Sequence, residues 1–321
     1  MLSRQFAAVS CFAWLVLLGA CRFAPVPAAS RNALPMIVAH RGGAADAPEN
    51  TLLAIETALA NHADAIWLTV QLTRDGVPVL YRPADLSANT NGTGTVASHE
   101  FAALRSLNAG WNFTQTDANG EKQYPYRARP LPIPSLAEAL RAIPSSTTVI
   151  LDMKALPAET QASAVARVLS EESAWPRVLI YSTDAAYQAA FAPYREARLF
   201  ESRDATRERL AQVALEHECR KPPPEGTWTA FEYRRKMDLV ETFTLGEARS
   251  AVDARLWTPQ AVSCFKMNGK VRILAIGVDQ AEDYRAAACL GMDAVLADSP
   301  RRAYASKTSL AEPLQCPANA P

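Results

Sequence analysis

The chain has 321 residues, of which 49% are hydrophobic, and its 33 basic side chains balance 33 acidic ones. This composition is typical of a folded globular protein and excludes a disordered chain. Because the net charge is zero and the sequence shows neither a basic stripe nor zinc-finger spacing, nucleic acid is not an expected partner.

The amino terminus predicts export from the cytoplasm. A basic start precedes the apolar run 12–18, which fits a secretory signal over residues 1–20 and is too short to span a membrane. Leu18-Gly19-Ala20-Cys21 resembles a bacterial lipobox, which implies cleavage before Cys21 and acylation of that cysteine. The alternative is ordinary cleavage near residues 28–29, which would discard Cys21.

Residues 21–35 are rich in Pro and Ala and predict a flexible tether between anchor and domain. Arg22, rather than Asp, follows the cysteine, which by resemblance to other lipoproteins favours the outer membrane. We therefore expect a periplasmic domain that is lipid-anchored to the outer membrane of a bacterial envelope.

Four cysteines remain after the predicted signal and anchor: Cys219, Cys264, Cys289 and Cys316. An oxidising periplasm permits disulfides among them, and their spacing allows three pairings. Cys289 has the alternative of being a small buried hydrophobic residue. No Cys-x-x-Cys or Cys/His metal spacing occurs.

The first strand-like run of the main domain ends in a charged motif. Met36–Ala39 is short and apolar, and it is followed by His40-Arg41-Gly42-Gly43 and then by Pro48-Glu49-Asn50-Thr51. This pattern predicts a buried parallel strand whose carboxyl end delivers His40 and Arg41 into a loop. Catalytic groups lie at that end in barrels and in open α/β sheets.

Strand-like and helix-like runs then alternate along the chain. The predicted strands are Met36–Ala39, Ala65–Leu72, Val77–Tyr81, Val149–Met153, Arg177–Tyr181, Ala197–Phe200, Trp228–Glu232, Val271–Gly277 and Ala294–Ala297. The predicted helices are Thr51–Ala60, Ser135–Ala142, Glu159–Ser170, Asp184–Ala190, Thr206–His217 and Ala281–Leu290. This alternation predicts an α/β fold, a closed (β/α)8 TIM barrel over residues 36–305. An irregular insertion at about 108–132 precedes the third barrel strand, and residues 306–321 form a tail.

Several motifs occur in register with one known family. His40-Arg41-Gly42, Pro48-Glu49-Asn50-Thr51, Thr73-Arg74-Asp75-Gly76, Ile133-Pro134-Ser135-Leu136 and Asp298-Ser299-Pro300 follow its order. Over residues 36–302 the chain resembles the glycerophosphodiester phosphodiesterase family. The resemblance implies a TIM barrel, hydrolysis of phosphodiesters from phospholipid head groups, a Mg²⁺ or Ca²⁺ cofactor, and an insertion that caps the active face.

The chain departs from the family at the residues that would hold the metal. A Glu-x-Asp pair on the second strand is replaced by Trp67 and Thr69, and the third ligand position matches Asp152. The second histidine of the family matches Arg82, whereas the lysine is kept as Lys154. One carboxylate with a threonine hydroxyl supplies too little charge for a hard cation, so the metal site is predicted to be eroded.

The resemblance implies roles for the remaining groups. His40 is the candidate acid/base, and Arg41, Arg82 and Lys154 are candidate phosphate ligands because guanidinium and ammonium groups bind phosphate without a metal. Asp152 is either a residual metal ligand or the counter-ion of Lys154 and Arg82.

Each of these roles has a simpler alternative. Histidines at strand ends are often structural, and Arg41 could instead form an ion pair with Glu49 that pins the first loop. Trp67 either fills the volume of a hydrated cation or stacks on a ligand. Glu49, Trp67 and Thr69 are predicted to line the pocket.

Further candidates at the mouth are Glu232, Arg234, Arg235 and Trp257, although a solvated surface run is the favoured interpretation of the two arginines. The remaining histidines receive no role: His62, His99 and His217. Two functions stay open, a phosphodiester hydrolase and a non-catalytic lipoprotein that binds a small phosphodiester.

Overall fold

The computed structural model describes residues 33–310 and 314–316. Outside these residues lie the predicted signal, the anchor at Cys21 and nearly all of the tether. Residues 311–313 and 317–321 of the tail also lie outside them. Within the described part of the chain, no helix has the length and apolarity that crossing a bilayer requires.

Twelve strands occur among the described residues: β1 Met36–His40, β2 Ala65–Leu72, β3 Pro78–Leu80, β4 Gln115–Thr116, β5 Lys122–Gln123, β6 Thr148–Met153, β7 Val178–Tyr181, β8 Trp228–Glu232, β9 Arg235–Phe243, β10 Gly246–Ala254, β11 Arg272–Ile276 and β12 Ala294–Ala297. The α-helices of this part are α1 Leu52–Ala60, α2 Phe101–Leu104, α3 Leu136–Ala142, α4 Ala158–Glu171, α5 Ala186–Phe191, α6 Arg203–Glu216, α7 Pro259–Phe265, α8 Ala281–Leu290 and α9 Pro300–Ser309.

Seven parallel strands form one curled sheet in the order β7-β6-β2-β1-β12-β11-β8, and β3 pairs antiparallel with β2. The two edges meet through residues 199 and 200, which bridge β7 and β8. The Phe200 N–H donates to the Ile180 carbonyl at 2.9 Å, and the Glu201 N–H donates to the Trp228 carbonyl at 2.8 Å. The predicted parallel α/β architecture is therefore confirmed, with the segment predicted as strand 197–200 reduced to these bridges.

Alternating side chains of the strands fill two different spaces. One apolar cluster contains strand and bridge residues only, and it fills the inside of the curled sheet around Trp67, Tyr181 and Phe200. Two larger clusters combine the other face of the strands with the helices. This division is expected of a barrel whose strands are buried on both faces.

Most predicted boundaries agree with the structure to within about two residues. The largest difference is α6, which begins three residues earlier than predicted, at Arg203, because Ser202 caps it by accepting from the Ala205 N–H. Two elements with ordinary start signals were not predicted. Thr258 caps α7 and Ser299 caps α9, each followed by a proline at the first helical position.

The segment predicted as an irregular insertion contains only the short hairpin β4–β5 as regular structure. The Asn108 side chain holds its two ends together, accepting from the Leu131 N–H at 3.1 Å and donating to the Tyr126 carbonyl at 2.7 Å. Arg127 lies over the rings of Trp111 and Tyr124. The cap that this segment is expected to form over the active face stays a prediction.

Two disulfides select one of the three possible pairings, Cys219–Cys264 and Cys289–Cys316. The alternative of Cys289 as an unpaired buried residue is wrong, because it is bonded to the tail. With sequence separations of 45 and 27 residues, chain-entropy arguments give each bond about 3.5–4 kcal/mol.

Candidate functional site

The candidate site lies at the carboxyl ends of the parallel strands, which we call the mouth and define by His40, Asp152, Glu232 and Asp298. His40 ends β1, Asp152 and Glu232 stand at or next to the ends of β6 and β8, and Asp298 directly follows β12. Parallel register pairs Thr69 of β2 with Asp152. Strands that run in one direction bring these groups to the same edge of the sheet.

His40 and Asp298 form the closest polar pair of the mouth. The His40 Nδ1 atom lies 2.6 Å from Asp298 Oδ1. The hydrogen bond from His40 lowers the pKa of Asp298 against the opposing effect of burial, and Arg41 and Arg302 add to the lowering. An ionised carboxylate only accepts hydrogen bonds, so the proton lies on Nδ1 and Nε2 is left for exchange with a ligand.

Arg41 is held by its neighbours in the first loop. Its backbone is left-handed, with φ 53°. Its Nη1 atom lies 2.6 Å from Glu49 Oε2, and Asn89 donates to the other oxygen of Glu49 at 3.1 Å. The ion pair weighed from the sequence is therefore present. The buried Nε atom of Arg41 has no hydrogen-bond partner within the described chain, and the side chain as a whole is 25% exposed.

Asp152 lies deep in the mouth with Lys154 beside it. Lys154 Nζ is 3.0 Å from Asp152 Oδ1, but the approach is poorly aligned and that oxygen has no proper hydrogen bond among the described residues. Burial raises the pKa of Asp152, while the positive charges of Lys154, His40 and Arg82 act in the opposite direction. The permanent cations Lys154 and Arg82 thus favour the charged form of this carboxylate, whereas burial opposes it.

Comparisons with known proteins identify the family. The model of the glycerophosphoryl diester phosphodiesterase family matches residues 40–302. The chain belongs to this family. It is 45% identical to the uncharacterized protein Rv2277c of Mycobacterium tuberculosis over 286 residues, which are 89% of this chain and 94% of that protein.

Solved structures and a human relative agree with that membership. The glycerophosphoryl diester phosphodiesterase domain of Rv2277c superposes with a TM-score of 0.80, covering 86% of this chain and all of that domain. Human glycerophosphodiester phosphodiesterase 1 is 36% identical over 43% of this chain and 41% of its own length. An Oleispira antarctica phosphodiesterase shares the fold, with a TM-score of 0.61, 22% identity and coverage of 86% and 98%.

The metal ion expected of the family does not fit the side chains at its position. Trp67 is 2% exposed, and its ring packs 4.8 Å from Tyr181 and 6.2 Å from Phe200. Thr69 is fully buried and offers only a hydroxyl. Nowhere in residues 33–310 and 314–316 do three or more His, Cys, Asp or Glu side chains form a group suited to a metal. A hard cation needs more oxygen ligands and charge than Asp152 and Thr69 supply.

The substituted side of the mouth instead presents unpaired polar atoms. Trp67 Nε1 and Thr69 Oγ1 are buried and have no hydrogen-bond partner in the described part of the chain, as is also true of Asp152 Oδ1. A buried donor without a partner is costly, so such groups usually meet water or a ligand. Of these atoms, Trp67 Nε1 and Thr69 Oγ1 are hydrogen-bond donors, which suit an anionic oxygen rather than a cation.

A second network in the mouth joins residues that sequence reasoning did not connect. Arg203, at the start of α6, donates to both oxygens of Glu232 at 2.6 Å and to the Tyr181 hydroxyl at 3.1 Å. Burial acts to raise the pKa of Glu232, but the Arg203 hydrogen bond and charge outweigh it and lower that pKa. Arg235 adds a contact to Glu232 at 2.9 Å. Arg203 was missed because the predicted helix began at Thr206, which left Arg203 in an apparent surface loop.

The remaining candidates from the sequence lie elsewhere or stay open. Arg82 is exposed, and its charge acts on Asp152. Arg234 forms an ion pair with Asp283 of α8, at 2.5 Å. Trp257 is 2% exposed and its Nε1 donates to the Phe231 carbonyl, so its predicted position at the mouth is wrong: it packs in the outer core.

Proposed function

We propose that this protein binds and hydrolyses phosphodiesters derived from phospholipid head groups, with glycerophosphodiesters as the substrate class. Membership of the glycerophosphoryl diester phosphodiesterase family supports this proposal. The observation that carries it is the oriented pair His40–Asp298 beside Arg41, since it supplies a proton carrier and a cation at one position.

The cations of the chain replace the metal in binding. A phosphodiester carries one negative charge, and guanidinium groups bind phosphate oxygens with two parallel hydrogen bonds. Arg41 contributes a partly exposed side chain, the exposed Arg82 lies near enough for its charge to act on Asp152, and Lys154 adds a point charge beside Asp152. No step is assigned to Mg²⁺ or Ca²⁺, because the side chains at the family's metal position do not match the needs of either ion.

His40 carries the proton in the proposed hydrolysis. Water attacks phosphorus, a new P–O bond forms, and the P–O bond to the leaving alcohol breaks. The proton that the water loses goes to Nε2 of His40, the leaving alkoxide takes a proton from solvent, and His40 then returns its own proton to solvent. Arg82 stands where the family has a second histidine and cannot exchange protons at neutral pH. One missing acid/base group costs about 10²–10⁴-fold in rate, so slow turnover is expected.

A second function is favoured by Trp67, which occupies the position of a metal ligand with a buried, packed ring. On this alternative the mouth recognises a phosphodiester without cleaving it, and the protein is a binding lipoprotein of the envelope. Acylation of Cys21 and a location at the outer membrane belong to both proposals. Mass spectrometry of the membrane fraction, with Cys21→Ala as control, tests the anchor.

One assay separates the two functions. Purified protein is incubated with glycerophosphocholine in EDTA, Mg²⁺ or Ca²⁺, and release of glycerol 3-phosphate is followed for wild type and His40→Ala. Release in EDTA that the variant loses supports the hydrolase. If no diester is cleaved, but glycerophosphocholine raises the melting temperature of wild type and not of Arg41→Ala, the binding function stands and the hydrolase fails.

A further inference from the structure

We propose that the hairpin β9–β10 docks on a phospholipid bilayer, with its uncharged tip inserted into the lipid surface next to the mouth. We define the tip as residues 242–246. The choice of a bilayer as occupant rests in part on the proposed function, since the proposed substrates derive from phospholipids. The hairpin itself is observed independently of that function.

The hairpin leaves the barrel at the mouth. β8 ends at Glu232 and β9 begins at Arg235, so the hairpin emerges at the same edge of the sheet as His40. Glu232 fixes this base, because it binds Arg235 of the hairpin at 2.9 Å and Arg203 of α6 at 2.6 Å. Each strand has nine residues and pairs with the other along its length. Within the described chain, neither strand packs extensively against another element.

The two faces of the hairpin differ in chemistry. In an antiparallel pair, directly opposed residues lie on one face. The pairs Met237–Val252, Leu239–Ser250 and Phe243–Gly246 therefore share a face, which we call the apolar face. The opposite face carries Lys236, Asp253, Asp238, Glu247 and Arg249. A two-stranded ribbon is marginally stable alone in water, and its apolar face is open to solvent.

Exposure of apolar side chains is greatest towards the tip. Leu245 in the turn is 99% exposed, Phe243 is 59% exposed and Leu239 is 57% exposed, whereas Met237 and Val252 near the base are about 40% exposed. The tip itself has the sequence Thr-Phe-Thr-Leu-Gly and carries no charge. Protruding apolar patches of this kind mark membrane or protein contacts.

The placement of charge favours a bilayer over a second copy of the chain. Glu241 lies in the middle of the apolar face, between Leu239 and Phe243. A dry interface along the whole face would bury this carboxylate without a partner, which is costly. In contact with a bilayer, only the tip has to be buried. Lipids can also rearrange around a protruding element, whereas a rigid protein partner needs a cavity of matching shape. Glu247, which pairs with Thr242, and Glu241 then lie at the boundary between lipid and water.

The chain outside the described residues is long enough for this arrangement. The predicted anchor at Cys21 precedes β1 by 15 residues, which reach up to about 50 Å when extended. That length allows a barrel tethered near its amino-terminal edge to turn its mouth and hairpin to the lipid. Because Glu241 and Glu247 flank the tip, neutral lipids should be preferred over anionic ones at low salt.

Sedimentation with vesicles tests the proposal. The protein used begins at Arg22, so it lacks the anchor and retains every described residue, and the probe is phosphatidylcholine vesicles. Wild type should sediment with the vesicles, and Phe243→Ser with Leu245→Ser should weaken binding at least about tenfold, since two apolar side chains lose their burial. The matched control, Met237→Ser with Val252→Ser, removes apolar groups at the base of the same face and should change binding less than about twofold.

Three results would overturn the proposal: no sedimentation of wild type, equal losses in both double variants, or a wild-type dimer in size-exclusion chromatography that only the tip variant abolishes. Soluble glycerophosphocholine should bind both variants as it binds wild type. Failure of vesicle binding with intact diester binding would reject the docking hairpin and leave the proposed function standing. The converse result would reject the proposed function and leave the hairpin standing.

Discussion

The two sides of the mouth differ in how far they keep the chemistry of the family. On the side of β1 and β12, His40 is oriented by Asp298 and Arg41 by Glu49, each at 2.6 Å. On the side of β2 and β6, Trp67 and Thr69 replace two carboxylates, and Asp152 is left with cations around it. The comparison teaches that the residues proposed to bind phosphate and those at the family's metal position can change independently in this fold.

The largest effect is expected from His40. His40→Ala should lower release of glycerol 3-phosphate by about 10²–10⁴-fold, because the only histidine of the mouth in the described chain is lost. Asp298→Asn should lower it less, since it weakens only the orientation of the ring. Steady-state kinetics measures both. Equal turnover in wild type and His40→Ala, with folding verified by circular dichroism, would assign the activity to another group.

The substituted side can be rebuilt to sharpen the contrast. Trp67→Glu with Thr69→Asp restores two carboxylates beside Asp152, so millimolar Ca²⁺ should raise the melting temperature by roughly 5 °C, as saturating ligands do. Wild type should not respond. The neutral control Trp67→Gln with Thr69→Asn should behave like wild type. A folded carboxylate variant that ignores Ca²⁺ would show that more than these two positions was lost.

Arg41 should affect binding more than turnover. Arg41→Ala removes a charge-assisted contact to phosphate, which corresponds to about 10- to 100-fold weaker binding of glycerophosphocholine. Glu49→Gln, which leaves the arginine in place, should weaken binding only a few-fold. Calorimetric titration measures both affinities. If Arg41→Ala binds as tightly as wild type, the ion pair with Glu49 is purely structural.

The smallest effects are opposite pH dependences of two carboxyl groups. The pKa of Asp298 is lowered in the fold, so its stabilising contribution exists above its ordinary pKa and is lost as pH falls. The pKa of Asp152 is raised, so wild type loses stability as pH rises from that ordinary value to the raised one. Solvent screens Asp298, whose side chain is 42% exposed, so less than about 1 kcal/mol is expected there.

Urea unfolding at pH 3 to 8 checks these signs against Asp298→Asn and Asp152→Asn. The quantity compared is the unfolding free energy of wild type minus that of the variant. It should increase with pH for Asp298→Asn and decrease with pH for Asp152→Asn. Parallel trends in both variants would mean that the two carboxyl groups lie in similar environments.

Local sequence patterns predicted the strands and helices well, but they did not predict which residues distant in sequence contact each other. The bounds of β2, β8, β12 and α8 agree with the sequence prediction, because each is an apolar or amphipathic run with clear ends. Asp298 stands 258 residues from His40, and only the closed order of the strands brings them together. The partners of the four cysteines were undetermined for the same reason.

The hairpin β9–β10 was missed for a different reason. Its apolar residues alternate with charges and face solvent, and its turn at residues 244–245 is Thr-Leu rather than the Asn-Gly or Asp-Gly that signals a tight hairpin. Hydrophobic patterns in a sequence predict the elements that are buried, and few side chains of this hairpin are buried. The prediction for Trp257 was wrong because proximity in sequence to α7 does not determine the face on which a side chain lies.

Calorimetric titration of glycerophosphocholine into wild-type protein tests the central claim most directly, with matched titrations in EDTA, Mg²⁺ and Ca²⁺. A mouth that recognises phosphate with its own cations predicts the same dissociation constant in all three buffers. Binding that appears only with a divalent ion, or tight binding of Ca²⁺ alone, would contradict that claim.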